Sequence, residues 1–118
     1  TVVKKDNRIY LEHILDCIAK IKSYTKDCSE EQFLQSTIIQ DAVIRNFEVI
    51  GEATKHLDST FREKHPDIAW KKVAGLRDKL IHDYIGVDLW AVWGVVENYL
   101  PELELYVLKI MESEQGSL

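Results

Sequence analysis

Most of the fold follows from one segment, FLQSTIIQDAVIRNFEVIGEATKHL, which comprises residues 33–57. Its core-facing side chains recur mostly at three- and four-residue spacings, the pattern that gathers them on one face of an α-helix. The face consists of Phe33, Ile39, Val43, Phe47, Ile50, Thr54 and Leu57, and no proline interrupts it. Just upstream, Ser29 and Gln32 stand in the Ser-x-x-Gln order of a capping box. We therefore predict one helix that begins at Ser29 and is the longest in the domain.

Gly51 lies on the same face of this predicted helix. A glycine inside a helix costs about 1 kcal/mol relative to alanine. The missing side chain lets a neighbouring backbone approach closely. We predict that Gly51 marks a packing contact with another helix.

Two further helices are predicted on either side of this segment. Residues 6–24 carry apolar side chains at helical spacing, namely Leu11, Ile14, Leu15, Ile18 and Ile21. Pro66 prevents a continuous helix through His65, so a short helical turn is expected at residues 61–65. Asp67 is then placed to cap a third main helix that starts at about Ile68 and includes Leu80 and Ile81.

A last helix is predicted after Gly86, with Asp88 as its N-cap. Its apolar positions are Leu89, Val92, Trp93, Val96, Leu100, Leu103, Val107 and Ile110, and Pro101 should kink or interrupt it. No segment has a strand-like alternation long enough to form a sheet. We therefore predict an all-α fold, a bundle of four main helices plus a short helical turn, with residues 1–118 in one domain.

The composition is typical of a soluble globular domain, with 46% hydrophobic and 30% charged residues. No apolar run approaches the roughly 20 residues of a membrane-spanning helix, and residues 1–6 contain no apolar signal core. We expect a cytoplasmic protein without membrane contacts. Cys17 and Cys28 form no Cys-x-x-Cys pair, so we expect two reduced thiols in or near the core.

The charges are distributed unevenly along the chain. The net charge is -5, yet residues 55–82 hold seven basic and four acidic residues, a local excess of +3 that leaves -8 on the remainder. A basic patch of this kind suits phosphate binding, and Lys71, Lys72 and Lys79 are its candidate RNA-binding residues. A solvated helical face would explain the same charges.

The residues with the clearest chemical potential lie in RDKLIHDY, residues 77–84. The guanidinium of Arg77 offers a fixed fork of donors for a phosphate, and the imidazole of His82 exchanges protons near neutral pH. These are the two functions that metal-independent RNA cleavage needs, charge stabilisation at phosphorus and proton transfer at oxygen. The other histidines, His13, His56 and His65, show no metal-ligand spacing.

The spacing of this pair leaves its geometry open. Five residues of one continuous helix turn through about 500°, which would leave Arg77 and His82 roughly 140° apart. Either the helix ends near Ile81, or two copies of the chain assemble a shared site. Asp78, four residues before His82, could orient the imidazole. A surface arginine in an ion pair and a helix-terminal histidine would give the same pattern.

The segment RDKLIHDY resembles the signature of the HEPN superfamily in its HepT-like branch, in which Arg is followed after four to six residues by His-x-Tyr. Three more blocks resemble the family in the same order: residues 44–53, 66–70 and 100–103. The resemblance extends over about residues 7–111 and includes an intact Arg77, His82 and Tyr84.

This resemblance implies a metal-independent endoribonuclease that uses no cofactor and acts as the toxin of a type VII-like toxin–antitoxin pair. It assigns transition-state stabilisation to Arg77, acid–base catalysis to His82 and a supporting polar role to Asp78. It also implies that Tyr84 is AMPylated by a cognate minimal nucleotidyltransferase (MNT-type) antitoxin. The family is homodimeric with both motifs in one cleft, so we expect the third and last helices at the dimer interface.

Two other classes of function remain compatible with the sequence. A non-catalytic partner of a nucleotidyltransferase could use the same residues to bind a nucleotide or RNA. A structural helical adaptor would need no catalytic role for His82 at all.

Overall fold

A computed structural model describes residues 5–76, 78, 81–82 and 86–116, and the side chains of residues 7–76, 78 and 88–113. The helices are α1 (Lys5–Thr25), α2 (Glu30–Gln35), α3 (Thr37–Lys55), α4 (Ser59–Lys64), α5 (Trp70–Ala74), α6 (Leu89–Gly94) and α7 (Leu100–Gly116), with a π-helical segment, Val95–Tyr99, between α6 and α7. Strands β1 (Ile81–His82) and β2 (Gly86–Val87) form an antiparallel pair of two residues each. The fold is all-α, as predicted, and this short pair is the one exception among the described residues.

The core lies between α1, α3 and α7. Helix α1 packs along α3 and also contacts α7. Fully or almost fully buried side chains fill the space between them: Leu11, Ile14, Ile18, Ile21, Val43, Phe47, Ile50, Leu100, Leu103 and Val107. Each large aliphatic or aromatic side chain contributes about 1.5–3 kcal/mol when removed from water. The first helix is confirmed with its apolar face, and it extends one residue farther at each end than predicted.

The prediction of one long second helix is wrong, because the segment is divided at Ser36 into two helices. The backbone of Ser36 is extended, with φ -109° and ψ 99°, so α2 ends there and α3 begins. The Ser36 hydroxyl accepts a hydrogen bond from the Ile39 amide at 3.2 Å, which satisfies a free donor at the start of α3. The capping box at Ser29 and Gln32 is confirmed. Most of the predicted apolar face is still buried on α3. The prediction that this helix is the longest is wrong, because α1 is longer than α3.

The predicted third main helix is also wrong in its extent. Asp67 does not cap it; α5 starts at Trp70 behind Ala69, which makes no side-chain cap, and it ends after five residues at Gly75. Beyond this interruption, Leu76 and Asp78 are again helical, as predicted. Farther along, Ile81–His82 is a strand and not a helical turn. The expected turn at residues 61–65 is α4, which starts two residues earlier.

The last helix begins as predicted, because the Asp88 side chain accepts a hydrogen bond from the Ala91 amide at 3.0 Å. Before Pro101 the hydrogen bonding widens to the π pattern, and the Leu100 amide donates to the Val95 carbonyl five residues back. The ring of a helical proline clashes with the carbonyl four residues earlier, so a wider turn accommodates it. The predicted interruption at Pro101 is therefore a π turn ahead of it.

Gly51 makes the close contact that its position predicts. A Cβ atom built on Gly51 would lie 2.9 Å from the carbonyl oxygen of Ala74, the last residue of α5. This distance is shorter than side-chain carbons tolerate against a backbone oxygen. The absence of a side chain at Gly51 therefore sets how closely α5 approaches α3.

Cys17 is buried and Cys28 is partly buried, and both thiols are free, in agreement with the prediction. Burial raises the pKa of the Cys17 thiol above its ordinary value. Among the described residues, no helix combines the length and apolarity needed to cross a membrane.

Candidate functional site

The predicted site residues differ in how much the structure describes of them. Arg77, Lys79 and Tyr84 lie outside the described residues, and His82 is described only as a residue of β1 paired with Gly86. Asp78 is exposed. The roles predicted for the catalytic pair therefore stay predictions.

The backbone around this segment leads from the core to the surface. Leu76, the residue before Arg77, is buried with 7% of its surface exposed, whereas Asp78 is exposed. The β1 strand also means that one continuous helix does not run from Arg77 through His82. The angle of about 140° calculated for such a helix does not apply.

Helix α5 is held rigidly against its neighbours just before this segment. The indole Nε1 of Trp70 donates a hydrogen bond to the His65 carbonyl at 2.9 Å, and its ring lies 6.1 Å from that of Phe61. Val73 is fully buried, and Ala74 lies against Gly51 of α3. These contacts fix the position of α5 relative to α3 and α4.

A cleft that includes a predicted site residue runs along α4 and α5, and we call it the α4–α5 cleft. Its volume is about 880 Å³, and it is lined by Ser59, Arg62, Glu63, Ala69, Trp70, Lys71, Lys72, Gly75 and Asp78. Lys71 and Lys72 are exposed. The cleft thus brings together two of the three lysines predicted to bind RNA and the residue next to Arg77.

A smaller cleft of about 440 Å³ lies on the α3 side of Asp78, and we call it the α3 cleft. Arg45, Phe47, Glu48, Val49, Gly51, Glu52, Lys55, Ala74 and Asp78 line it. Both cations are already paired: Arg45 lies 3.5 Å from Glu48, and Lys55 lies 3.5 Å from Glu52. With three carboxylates against two cations, this cleft is less suited to an anion than its neighbour.

Arg62 is a candidate site residue that the sequence did not single out. It lines the α4–α5 cleft, and within the described part of the chain its Nε–H is buried without a hydrogen-bond acceptor. A buried donor without an acceptor costs about 1–3 kcal/mol. Arg62 is one of the basic residues counted within residues 55–82. It belongs to a different helix from Lys71 and Lys72, so their spacing in the sequence does not show that they share a cleft. Only the fold places the three together.

Among the residues that can be described, no group of three or more His, Cys, Asp or Glu side chains is placed to hold a metal ion. What the described surface offers is a cleft with three cations, Arg62, Lys71 and Lys72, against two carboxylates, Glu63 and Asp78. Such a cleft can bind a phosphate group next to an apolar wall that includes Trp70.

The all-α domain and the Arg-x4-His-x-Tyr segment, whose Asp78 lines the α4–α5 cleft, agree with a HEPN-like protein. Residues 14–110 match the model of the family described as "Ribonuclease HepT-like". The chain belongs to the HepT-like ribonuclease family.

Several curated relatives agree with this membership. A Methanocaldococcus jannaschii protein, named as a gamma-glutamylcyclotransferase and provisionally as an RNase, is 52% identical over 93% of this chain, which spans 50% of that protein's length. A provisionally named RNase of Caldanaerobacter subterraneus subsp. tengcongensis is 42% identical over 94% of this chain and 99% of its own. The "Probable ribonuclease HepT" of Thermococcus cleftensis is 41% identical over 86% and 93%, respectively. No solved structure matches the chain.

Proposed function

We propose that this protein is a metal-independent endoribonuclease and the toxin of a toxin–antitoxin pair. The observation that carries the proposal is an intact Arg-x4-His-x-Tyr segment in a HepT-like chain. Its second residue, Asp78, lines a cleft in which cations outnumber carboxylates. Provisional RNase names among the relatives support the same reaction class.

The proposed reaction uses the 2′-hydroxyl of the RNA as nucleophile. The 2′-oxygen attacks the adjacent phosphorus and loses its proton, while the 5′-oxygen leaves and takes a proton. The products are a 2′,3′-cyclic phosphate and a 5′-hydroxyl. His82 serves one of these proton transfers, and Arg77 stabilises the charge on the non-bridging oxygens. Asp78 supports the imidazole or the guanidinium beside it.

The active form in this proposal is a homodimer with the two motifs in one cleft. In a site shared across a twofold axis, the Arg77 of one protomer and the His82 of its partner would contact one phosphate. The two side chains of a single protomer would then not need to point in the same direction. Trp90, with 66% of its surface exposed at the start of α6, supports a role of the last helix in the interface.

The reaction is tested by incubating the purified protein with mixed-sequence RNA in excess EDTA. We expect cleavage to continue, to leave 2′,3′-cyclic phosphate ends, and to stop when every 2′-hydroxyl is replaced by 2′-O-methyl, because the nucleophile is then missing. Product ends are identified by mass spectrometry. RNA binding without cleavage over a broad substrate panel would instead favour the non-catalytic nucleotide- or RNA-binding partner.

The regulatory part of the proposal concerns Tyr84. The cognate nucleotidyltransferase would transfer AMP from ATP to the tyrosine oxygen and release pyrophosphate, which places negative charge and bulk two residues from His82. Repulsion of the RNA phosphates would then inhibit cleavage.

We expect the intact mass to rise by one or more AMP units when the protein is incubated with the antitoxin and ATP. Tyr84→Phe should show no increase, because it lacks the acceptor oxygen. Tyr24→Phe is the matched control, since Tyr24 is an exposed tyrosine on α1 that should not alter the reaction. Undiminished modification of Tyr84→Phe would refute the assignment.

A further inference from the structure

We propose that the α4–α5 cleft binds the nucleotide that flanks the cleavage site, with Arg62 as the anchor of a backbone phosphate. The inference rests on the proposed function for the identity of the ligand, a single-stranded RNA. It goes further by assigning a residue and a cleft that the Arg-x4-His-x-Tyr segment does not contain.

The contrast between the two clefts beside Asp78 carries the inference. In the α3 cleft, Arg45 and Lys55 already have carboxylate partners at 3.5 Å. Among the ion pairs of the described residues, none involves Arg62, Lys71 or Lys72. The α4–α5 cleft therefore offers cations whose charge is not already compensated, which is what a phosphate requires.

Arg62 differs from the two lysines in being half-buried. Its Nε–H is shielded from water and has no acceptor among the described residues. An arginine fork recognises phosphate through paired N–H groups, whereas a lysine acts as a mobile point charge. Arg62 is thus the cation in this cleft best suited to fix a phosphate in one orientation, and Lys71 and Lys72 at the rim attract the strand.

The rest of the cleft suits a nucleotide. Its volume of about 880 Å³ lies within the range of about 300–1,000 Å³ found for small-molecule sites. Exposed Ala69 and the small accessible part of Trp70, 6% of its surface, supply apolar contact for a base, and the hydrogen bond of Trp70 to the His65 carbonyl fixes the indole plane. Apolar contact to the base and cations on the backbone are the usual combination in single-strand binding.

The position along the chain connects this cleft to the proposed chemistry. Gly75 and Asp78 both line the cleft, and Arg77 lies between them in sequence. A strand whose scissile phosphate is held by Arg77 would therefore place a neighbouring nucleotide in the α4–α5 cleft. Arg62 would then act on binding and positioning and not on bond cleavage.

The test measures binding of a fully 2′-O-methylated, mixed-sequence single-stranded RNA, which cannot be cleaved by 2′-hydroxyl attack. We expect Arg62→Ala to weaken binding roughly threefold to tenfold at low salt and to reduce the slope of log affinity against log salt by about 0.7, the loss of one phosphate contact. Arg62→Lys should retain part of the affinity and part of the salt dependence, because the positive charge is kept. In cleavage assays KM should rise more than kcat falls.

Arg45→Ala is the matched control, because it removes the same side chain from the α3 cleft, where Arg45 is paired with Glu48. Lys72→Ala provides a second variant that does not disturb buried packing. The inference is overturned if Arg62→Ala binds with unchanged affinity and slope, if Arg45→Ala is equally impaired, or if the wild-type protein does not bind the RNA. Impaired binding by Arg62→Ala supports the cleft even where the wild type proves unable to cleave RNA.

Discussion

Substitution of His82 by alanine is expected to reduce the rate of RNA cleavage by about 10²–10⁴, because the protein loses its proton donor or acceptor at the reacting oxygen. Arg77→Ala should reduce it by about 10²–10³, because charge on the non-bridging oxygens loses its donor. The rates are measured with saturating RNA in EDTA, and circular dichroism verifies that the variants fold. Both effects should appear mainly in kcat, in contrast to Arg62→Ala.

His13→Ala provides the matched histidine control, because His13 is exposed on α1 and should not affect cleavage. Mixing the two inactive variants then tests the shared site. If Arg77 and His82 of different protomers act on one phosphate, a mixed dimer regains one complete site and measurable cleavage returns. Wild-type rates in His82→Ala would contradict the catalytic assignment, and no recovery on mixing would indicate that each site lies within one chain.

The largest expected change in stability comes from Gly51→Ala. The new Cβ would lie 2.9 Å from the Ala74 carbonyl, and this backbone atom cannot move without displacing the end of α5. Forcing such a contact costs about 1–3 kcal/mol. Alanine is favoured over glycine in a helix by only about 1 kcal/mol, which offsets part of this cost. We expect the free energy of unfolding to fall by up to about 2 kcal/mol in urea denaturation, together with slower RNA cleavage because Ala74 lies three residues before Arg77.

Gly94→Ala is the control for this prediction. Gly94 is also helical, but a Cβ there would meet no atom within 4 Å. The same substitution should therefore stabilise the protein by about 0.5–1 kcal/mol. If Gly51→Ala and Gly94→Ala were equally stabilising, the contact between α3 and α5 would not be as close as the structure indicates.

Helical periodicity correctly predicted the all-α class, the first helix, the Asp88 cap and the interruption before Pro101. It also identified Gly51 as a packing contact. It failed at Ser36, because a single extended residue interrupts a helix without changing the apolar spacing on either side. It failed again after Ala74, where Gly75 ends α5 and residues 81–82 pair with residues 86–87. That pairing joins residues that are near in sequence by hydrogen bonds between two short strands, which a helical period does not record.

For the site, local sequence was sufficient to identify the segment RDKLIHDY and the basic excess around it, because both consist of residues close in the chain. Which cations share a cleft could be known only from the tertiary structure. Packing α4 beside α5 places Arg62 with Lys71 and Lys72, whereas ion pairs along α3 compensate Arg45 and Lys55. The sequence gives only the sum of the charges. The electrostatic field at a bound phosphate depends on which charges face it and which are already paired, and both are decided by the tertiary structure.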